Sequence, residues 1–391
     1  MLNTNFSPWP SFTQEEADAV SSVLLSNKVN YWTGNECRLF EKEFADWIGT
    51  KYAVALSNGT LALDVALKAL NIGCGDDVIV TSRTFLASAS CIVTAGANPV
   101  FADVDLNSQC ITAETVSAVL TPNTKAIIVV HLAGMPAEMD PIMALAEKHN
   151  LYVIEDCAQA HGASYKGKRV GSIGHIGAWS FCQDKIMTTG GEGGMVTTND
   201  KSLWSAMWSY KDHGKSYDAV YNQEHKPGFR WLHESFGTNW RMLEMQGAIG
   251  RIQLRRMPEW TQRRRENGKA IDEALADING VRLVKIADYI EHAEYKHYIF
   301  IKPSALKPNW TRDRIINEIN NAGVPCYQGS CSEVYLEKAF DNTKWRPVVS
   351  LPNAVELGET SLMFLVHPTL TPTEIDLTCK VARQVLINAF I

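Results

Sequence analysis

A chain of 391 residues, 46% hydrophobic and 20% charged, holds enough apolar side chain for a large core and exceeds what one core usually fills, which points to a two-domain, enzyme-sized protein and excludes a small binding module. Its formal net charge of -6 gives it no electrostatic reason to bind nucleic acid or an anionic membrane. The nine cysteines are scattered and odd in number, which suits a reduced, cytoplasmic protein without structural disulfides; Cys326 and Cys331 lack the companion ligands of a zinc site, so no metal is expected.

Residues 1–11 carry neither a basic region nor an apolar stretch, so no signal peptide is expected, and no apolar run reaches the length of a membrane span. A capping-box pair, Thr13 and Glu16, precedes a helix over 17–25, and a second helix over 36–48 places Leu39, Phe40, Phe44, Trp47 and Ile48 on one face. Strands are predicted at 52–56, 77–81, 99–104, 126–131, 151–155, 178–182 and 194–198. Helix-like segments separate several of them, including one starting at Thr60 and one over 137–149. Such alternation is how a mostly parallel α/β sheet reads in sequence.

After Asn199 the pattern changes to helices and aromatic-rich loops up to Trp240, then a long helix over 241–253. The run Gln262-Arg263-Arg264-Arg265-Glu266 reads as the solvated face of a helix. From about Val281 a smaller α+β unit follows, with a strand over 298–301, a helix over 312–322 and a closing helix capped by Thr371, Pro372 and Glu374. The expected division is a large domain over 1–260 and a small one over 261–391.

Lys185 lies between the apolar strand 177–182 and the run Gly190-Gly191-Glu192-Gly193-Gly194. A strand end delivers the side chain inward and the glycines let the backbone fold tightly around it, so a desolvated amine able to attack a carbonyl fits there; the plainer alternative is a solvated loop lysine. Asp156 ends an apolar strand, where open α/β sheets bind ligands, and a carboxylate buried there needs a cation; alternatively Glu155 and Asp156 only cap the next helix. Gln159 and His161 follow within reach of a ligand oxygen, unless His161 sits in the core. Ser57-Asn58-Gly59-Thr60 joins a strand to a helix, either as an anion site on backbone N–H groups or as an ordinary turn capped by Ser57 or Asn58. Ser180 adds a hydroxyl, and Phe85 either stacks on a flat ring or fills core. A phosphate-bearing pyridine ring calls on all of these: carboxylate for the ring nitrogen, aromatic face for the ring, amine for an imine.

Taken in order, Ser57-Asn58-Gly59-Thr60, Glu155-Asp156-Cys157-Ala158-Gln159-Ala160-His161-Gly162, Ser180-Phe181 with Lys185, Gly191-Glu192-Gly193-Gly194 and Gly237-Thr238-Asn239-Trp240-Arg241-Met242 carry a resemblance. On these motifs the chain resembles the DegT/DnrJ/EryC1/StrS aminotransferases, sugar aminotransferases of fold type I that depend on pyridoxal 5'-phosphate. The resemblance covers almost the whole chain and is least distinctive toward its C-terminal end. It implies a mostly parallel seven-stranded sheet between helices, a smaller C-terminal α+β domain, and a homodimer with active sites at the subunit boundary. It implies that Lys185 and Asp156 are catalytic, as the imine-forming lysine and the partner of the pyridine nitrogen. Gln159 then lies near the ring hydroxyl, Gly59, Thr60 and Ser180 cradle the phosphate, Phe85 stacks, and Asn239 reaches the cofactor phosphate of the partner subunit. Some members replace the lysine by histidine and dehydrate sugars; lysine here favours amino transfer.

The reaction so implied moves an amino group from L-glutamate to a nucleotide-linked keto-sugar, a 4-keto-6-deoxyhexose on dTDP, UDP or GDP, for O-antigen or other surface polysaccharide. A 3-keto-sugar, a keto-inositol, and a binding or regulatory protein that retains the fold without turnover stay open. Tyr31, Trp32, Lys215 and Arg230 are candidates for the sugar and its diphosphate, although the aromatic segment 217–240 equally suits a dimer surface. Cys326-Tyr327-Gln328-Gly329-Ser330-Cys331 lies where many relatives carry a proline and histidine motif, which leaves the sugar open.

Overall fold

A computed structural model describes residues 6–391, so the expectation for the first residues lies partly outside the described residues. Seven strands, β1 (Tyr52–Leu56), β2 (Asp77–Thr81), β3 (Asn98–Ala102), β4 (Thr124–Val130), β5 (Tyr152–Asp156), β6 (Ile176–Ser180) and β7 (Gly194–Thr198), form one sheet. Each overlaps a strand expected from sequence, and their order is β1-β7-β6-β5-β4-β2-β3. From β3 to β6 all pairs are parallel, whereas β7 runs antiparallel to both β1 and β6. The chain returns from β6 to β7 through a loop with no crossover helix, and a loop return produces an antiparallel pair. That loop carries Lys185, which places it at the carboxyl edge of the parallel strands.

Both faces of the sheet are covered, which explains the near-continuous apolar runs. Along β1, Val54 and Leu56 enter the larger core while Ala53 and Ala55 enter a second core with Phe40, Phe44, Trp179 and Phe181, as the two-residue strand period requires. A third core, built from residues such as Ile271, Leu275, Ile299, Ile315, Phe364 and Leu386, belongs to the C-terminal unit. There Val281–Leu283, His297–Ile301, Ser361–Phe364 and Cys326–Tyr327 form an antiparallel sheet. Its closing helix Pro372–Ala389 has the expected cap: the Thr371 N–H donates to Glu374 Oε2 (2.7 Å) and the Glu374 N–H to Thr371 Oγ1 (3.3 Å).

The long helix corrects two expectations. It spans Glu244–Leu275, 32 residues, instead of ending at 253, and it leaves the second core and enters the third. Arg264 does not solvate its surface. It is 1% exposed, donates from Nη1 to the carbonyls of Glu294 and Tyr295 (3.3 Å each), and lies 4.9 Å from the Trp9 ring centroid. Burial lowers its pKa to about 9. Consecutive residues on a helix point about 100° apart, so a charged triplet cannot share one face. No helix among the described residues is long and apolar enough to cross a membrane.

Candidate active site

The turn after β1 becomes the start of the helix Gly59–Ala69, with Asn58 as its cap: Asn58 Oδ1 accepts from the Leu61 N–H at 3.0 Å. Gly59 and Thr60 occupy the first turn, whose N–H groups have no intrahelical acceptor. Two glycines bring distant motifs onto this turn. A Cβ at Gly59 would sit 2.5 Å from Ser180 Cβ, and one at Gly194 only 2.2 Å from the Asn58 carbonyl oxygen. The end of β6 and the start of β7 therefore pack directly against this turn, with no room for a larger residue at either glycine.

Asp156, at the end of β5, pairs in register with Ala178 of the neighbouring β6. It is 6% exposed, accepts from Ser88 Oγ (2.8 Å) and the Ala158 N–H (3.1 Å), and has no cationic partner among the described residues. Neighbouring Glu155, with its side chain to the other face, takes four donors: His131 Nε2 (3.0 Å) and the N–H groups of Gly171 (2.8 Å), Ile173 (2.8 Å) and Gly174 (2.6 Å). His131 Nδ1 accepts from Ala137, which leaves the proton on Nε2. Burial raises the pKa of Glu155, but the bonds from His131 and the backbone outweigh it and hold the carboxyl below its ordinary value. Neither acid merely caps a helix.

Ser88 reaches Asp156 from the segment that also carries Phe85, whose ring is 70% exposed and so free on one side. Backbone pairing fixes this segment, since the Thr84 N–H donates to the Cys331 carbonyl at 3.1 Å. Gln159 Oε1 accepts from the Ala133 N–H (2.8 Å), leaving its amide NH2 as the end able to donate to a ligand.

Lys185 is half-buried, with Nζ 5.3 Å from the Tyr295 ring centroid. The Tyr295 hydroxyl donates to Asp184 Oδ2 at 2.5 Å, and Trp9 Nε1 donates to the Lys185 carbonyl at 2.8 Å. Burial raises the Asp184 pKa, yet the Lys185 charge and the Tyr295 bond outweigh it and keep it below normal. His161 takes the core alternative. It is fully buried beside the rings of Trp179 (5.1 Å) and Phe181 (5.6 Å), and burial, helped by Lys185, lowers its pKa to about 3, so it is neutral.

The remaining candidates make no side-chain hydrogen bond to these residues among the described residues, although the segment of Asn239 pairs with the turn after β1, the Ser57 N–H donating to the Trp240 carbonyl at 3.0 Å. Tyr31 is 2% exposed; its hydroxyl donates to Glu41 (3.0 Å) and accepts from Trp208 Nε1 (3.2 Å), and Lys211 Nζ lies 3.8 Å from its ring centroid. Little of it is left for a ligand. Lys215 Nζ lies 4.0 Å from the Trp32 ring centroid and donates to Asp212 at 3.3 Å. Arg230 is exposed between Phe229 and Trp231, and Asn239 is exposed without a side-chain partner among the described residues. Sequence reasoning missed Ser88, Asp184, Tyr295 and Trp9. Asp184 adjoins Lys185 and Ser88 follows Phe85 by about a helical turn, so both had a local signal; Tyr295 and Trp9 had none.

Residues 10–383 match the model of the DegT/DnrJ/EryC1/StrS aminotransferase family. A GDP-perosamine synthase of Caulobacter vibrioides is 37% identical over 353 residues, 89% of each chain. The X-ray structure of the aminotransferase from Psychrobacter cryohalolentis is 65% identical, with a TM-score of 0.97 over 98% of this chain and 99% of that one. DesV of S. venezuelae is 30% identical, with a TM-score of 0.85 over 95% and 94%. Fold and comparisons define a fold type I enzyme dependent on pyridoxal phosphate. The chain belongs to the DegT/DnrJ/EryC1/StrS family and is a sugar aminotransferase.

The residues present fit that cofactor. Gly59 and Thr60 bring the free N–H groups of a helix N-terminus beside Ser180, which suits a phosphate, the exposed side chain of Phe85 suits a ring, and Asp156 has no cation among the described residues, which a protonated ring nitrogen would supply.

Proposed function

We propose that the protein moves an amino group from L-glutamate to a nucleotide-linked keto-sugar, with a 4-keto-6-deoxyhexose on dTDP, UDP or GDP as the preferred class. One observation carries the reading: Asp156 is a buried carboxylate held by two neutral donors and by no cation among the described residues. Burying a carboxylate this way is unfavourable unless a cation completes the site. The perosamine synthase similarity supports a sugar bearing a nucleotide as acceptor.

When bound, the cofactor supplies an aldehyde for amines and a ring that takes up the electron pair released as a proton leaves carbon. Asp156 would hold the ring nitrogen protonated, the Gln159 amide would donate to the ring hydroxyl, and Phe85 would cover one ring face. Lys185 Nζ would hold the cofactor covalently and, when free, would serve as the base that moves a proton at the substrate carbon. Gly59, Thr60 and Ser180 would anchor the phosphate, and Asn239 would complete that anchor across a homodimer. The exposed aromatics Phe229 (77%), Trp231 (84%) and Phe236 (100%) around Arg230 support this contact with a second copy. Trp32, Lys215 and Arg230 remain candidates for the sugar nucleotide, with Tyr31 behind them as support.

The test is spectroscopic. L-Glutamate should convert the visible absorbance of the bound cofactor to that of its amine form, and a keto-sugar nucleotide should restore it. The panel should include 4-keto and 3-keto sugars and a keto-inositol. No conversion by glutamate would refute amino transfer, and restoration only by a 3-keto sugar or a keto-inositol would refute the preferred acceptor.

A further inference from the structure

Behind the lysine loop, contacts between four elements close into a ring. Arg264, buried in the long helix, holds the carbonyl of Tyr295; Tyr295 holds Asp184 through its hydroxyl and lies under Lys185 with its ring. The indole N–H of Trp9 binds the Lys185 carbonyl at 2.8 Å, and the indole face lies 4.9 Å from the Arg264 guanidinium. Arg264 Nε and Nη2 are buried with no hydrogen-bond partner among the described residues, and the π face of Trp9 attracts the cation there. The ring of Trp9 is held on two further sides, edge-on by Trp260 (5.1 Å) and stacked by His367 (5.9 Å).

The residues before Trp9 are tied to the C-terminal unit. The Pro8 carbonyl accepts from Thr369 Oγ1 at 2.8 Å, and Ser7 donates to Glu374 from its N–H (2.5 Å) and its hydroxyl (3.0 Å). Thr369 also meets His367 Nδ1 at 2.9 Å, so the connection 367–374 grips the strap at consecutive points. The Lys185 N–H donates to the Cys182 carbonyl (3.1 Å), while its carbonyl is tied to Trp9, whose ring packs on the second core and whose preceding residues are held by the small unit.

We propose that Trp9 is a positioning residue for Lys185, and that the strap Ser7–Trp9 transmits the placement of the 367–374 connection to the lysine loop. The inference rests on the role given to Lys185 above. Lys185 must alternate between holding the cofactor and moving a proton, so its amine travels while its backbone stays put; an indole N–H on its carbonyl supplies that fixed point. Small misplacements at a reacting group cost rate far more than binding.

The test compares two variants of the full chain with the wild type, each with and without cofactor. Trp9→Phe keeps an aromatic face for Arg264 and removes the N–H; Thr369→Val, made together with Ser7→Ala, keeps Trp9 and removes both hydroxyl bonds that tie the strap to the small unit. In both, amide hydrogen exchange should quicken over 182–189 while the strands β4 and β5 exchange as in the wild type. In Trp9→Phe, kcat for the glutamate half-reaction should fall roughly tenfold or more, with KM within about twofold. Wild-type exchange over 182–189 in Trp9→Phe, or a rise in KM without loss of kcat, would overturn the positioning role. Faster exchange in Trp9→Phe but not in the double variant would overturn the transmission; if Trp9→Phe does not fold, wild-type exchange in the double variant overturns it equally. Exchange in the cofactor-free protein reads the contact whether or not Lys185 is the cofactor lysine, so the two readings fail separately.

Discussion

Two adjacent acids divide the sheet into a finished side and an unfinished one. Glu155, facing one side, has four donors including a histidine, and the loop 171–174 is folded around it. Asp156, facing the other, has two neutral donors and no cation among the described residues. Both are buried, so burial does not distinguish them. What differs is whether the protein itself satisfies the charge, and the carboxylate left short marks the side on which a ligand completes the structure.

Removing groups on the two sides should break this contrast in different observables. The largest effect belongs to the unfinished side: Lys185→Ala should lower turnover on the order of 10⁴-fold or more, read as the glutamate half-reaction in a stopped-flow spectrometer, with the fold intact by circular dichroism. Next, Asp156→Asn should slow proton transfer by about 10²- to 10³-fold. Its stability without cofactor should stay within about 1 kcal/mol of wild type, because an amide can satisfy Ala158 and Ser88 as donor and acceptor.

On the finished side the signs reverse. Glu155→Gln should cost on the order of 3 kcal/mol in urea denaturation, since an amide NH2 would face backbone N–H groups. The lowered pKa of Glu155 means that its stabilisation is complete above its ordinary value of 4.5 and is lost as the pH falls through the lower native value. The acid limb of stability should therefore flatten in Glu155→Gln. The smallest effect is expected at Phe85→Ala, a loss of cofactor affinity of at most roughly tenfold by equilibrium dialysis, because a stacked ring contributes little beyond its area.

All seven strands were legible, because strands covered on both faces must be apolar throughout and glycine-rich or polar turns interrupt them. The segments proposed to hold the phosphate, the ring nitrogen and the cofactor aldehyde were legible as an ordered set of motifs, and adjoining strand ends and two glycines pack several of them together. The resemblance singled out Asp156, but the sequence could not show why Glu155 differs from it, since the contrast depends on His131 and the loop 171–174. Nor could it show that Tyr31 is enclosed by Glu41, Lys211 and Trp208, or that Arg264 is buried between Trp9 and two carbonyls. The long helix was underestimated because its later turns are polar on the outside and its apolar stripe serves two successive cores.

The central claim is that the unfinished side holds pyridoxal phosphate on Lys185. Borohydride reduction of the holoenzyme followed by peptide mass analysis reads this directly. The account predicts the reduced cofactor on the peptide containing Lys185 and its loss in Lys185→Ala. A label on another lysine, or none, would contradict it.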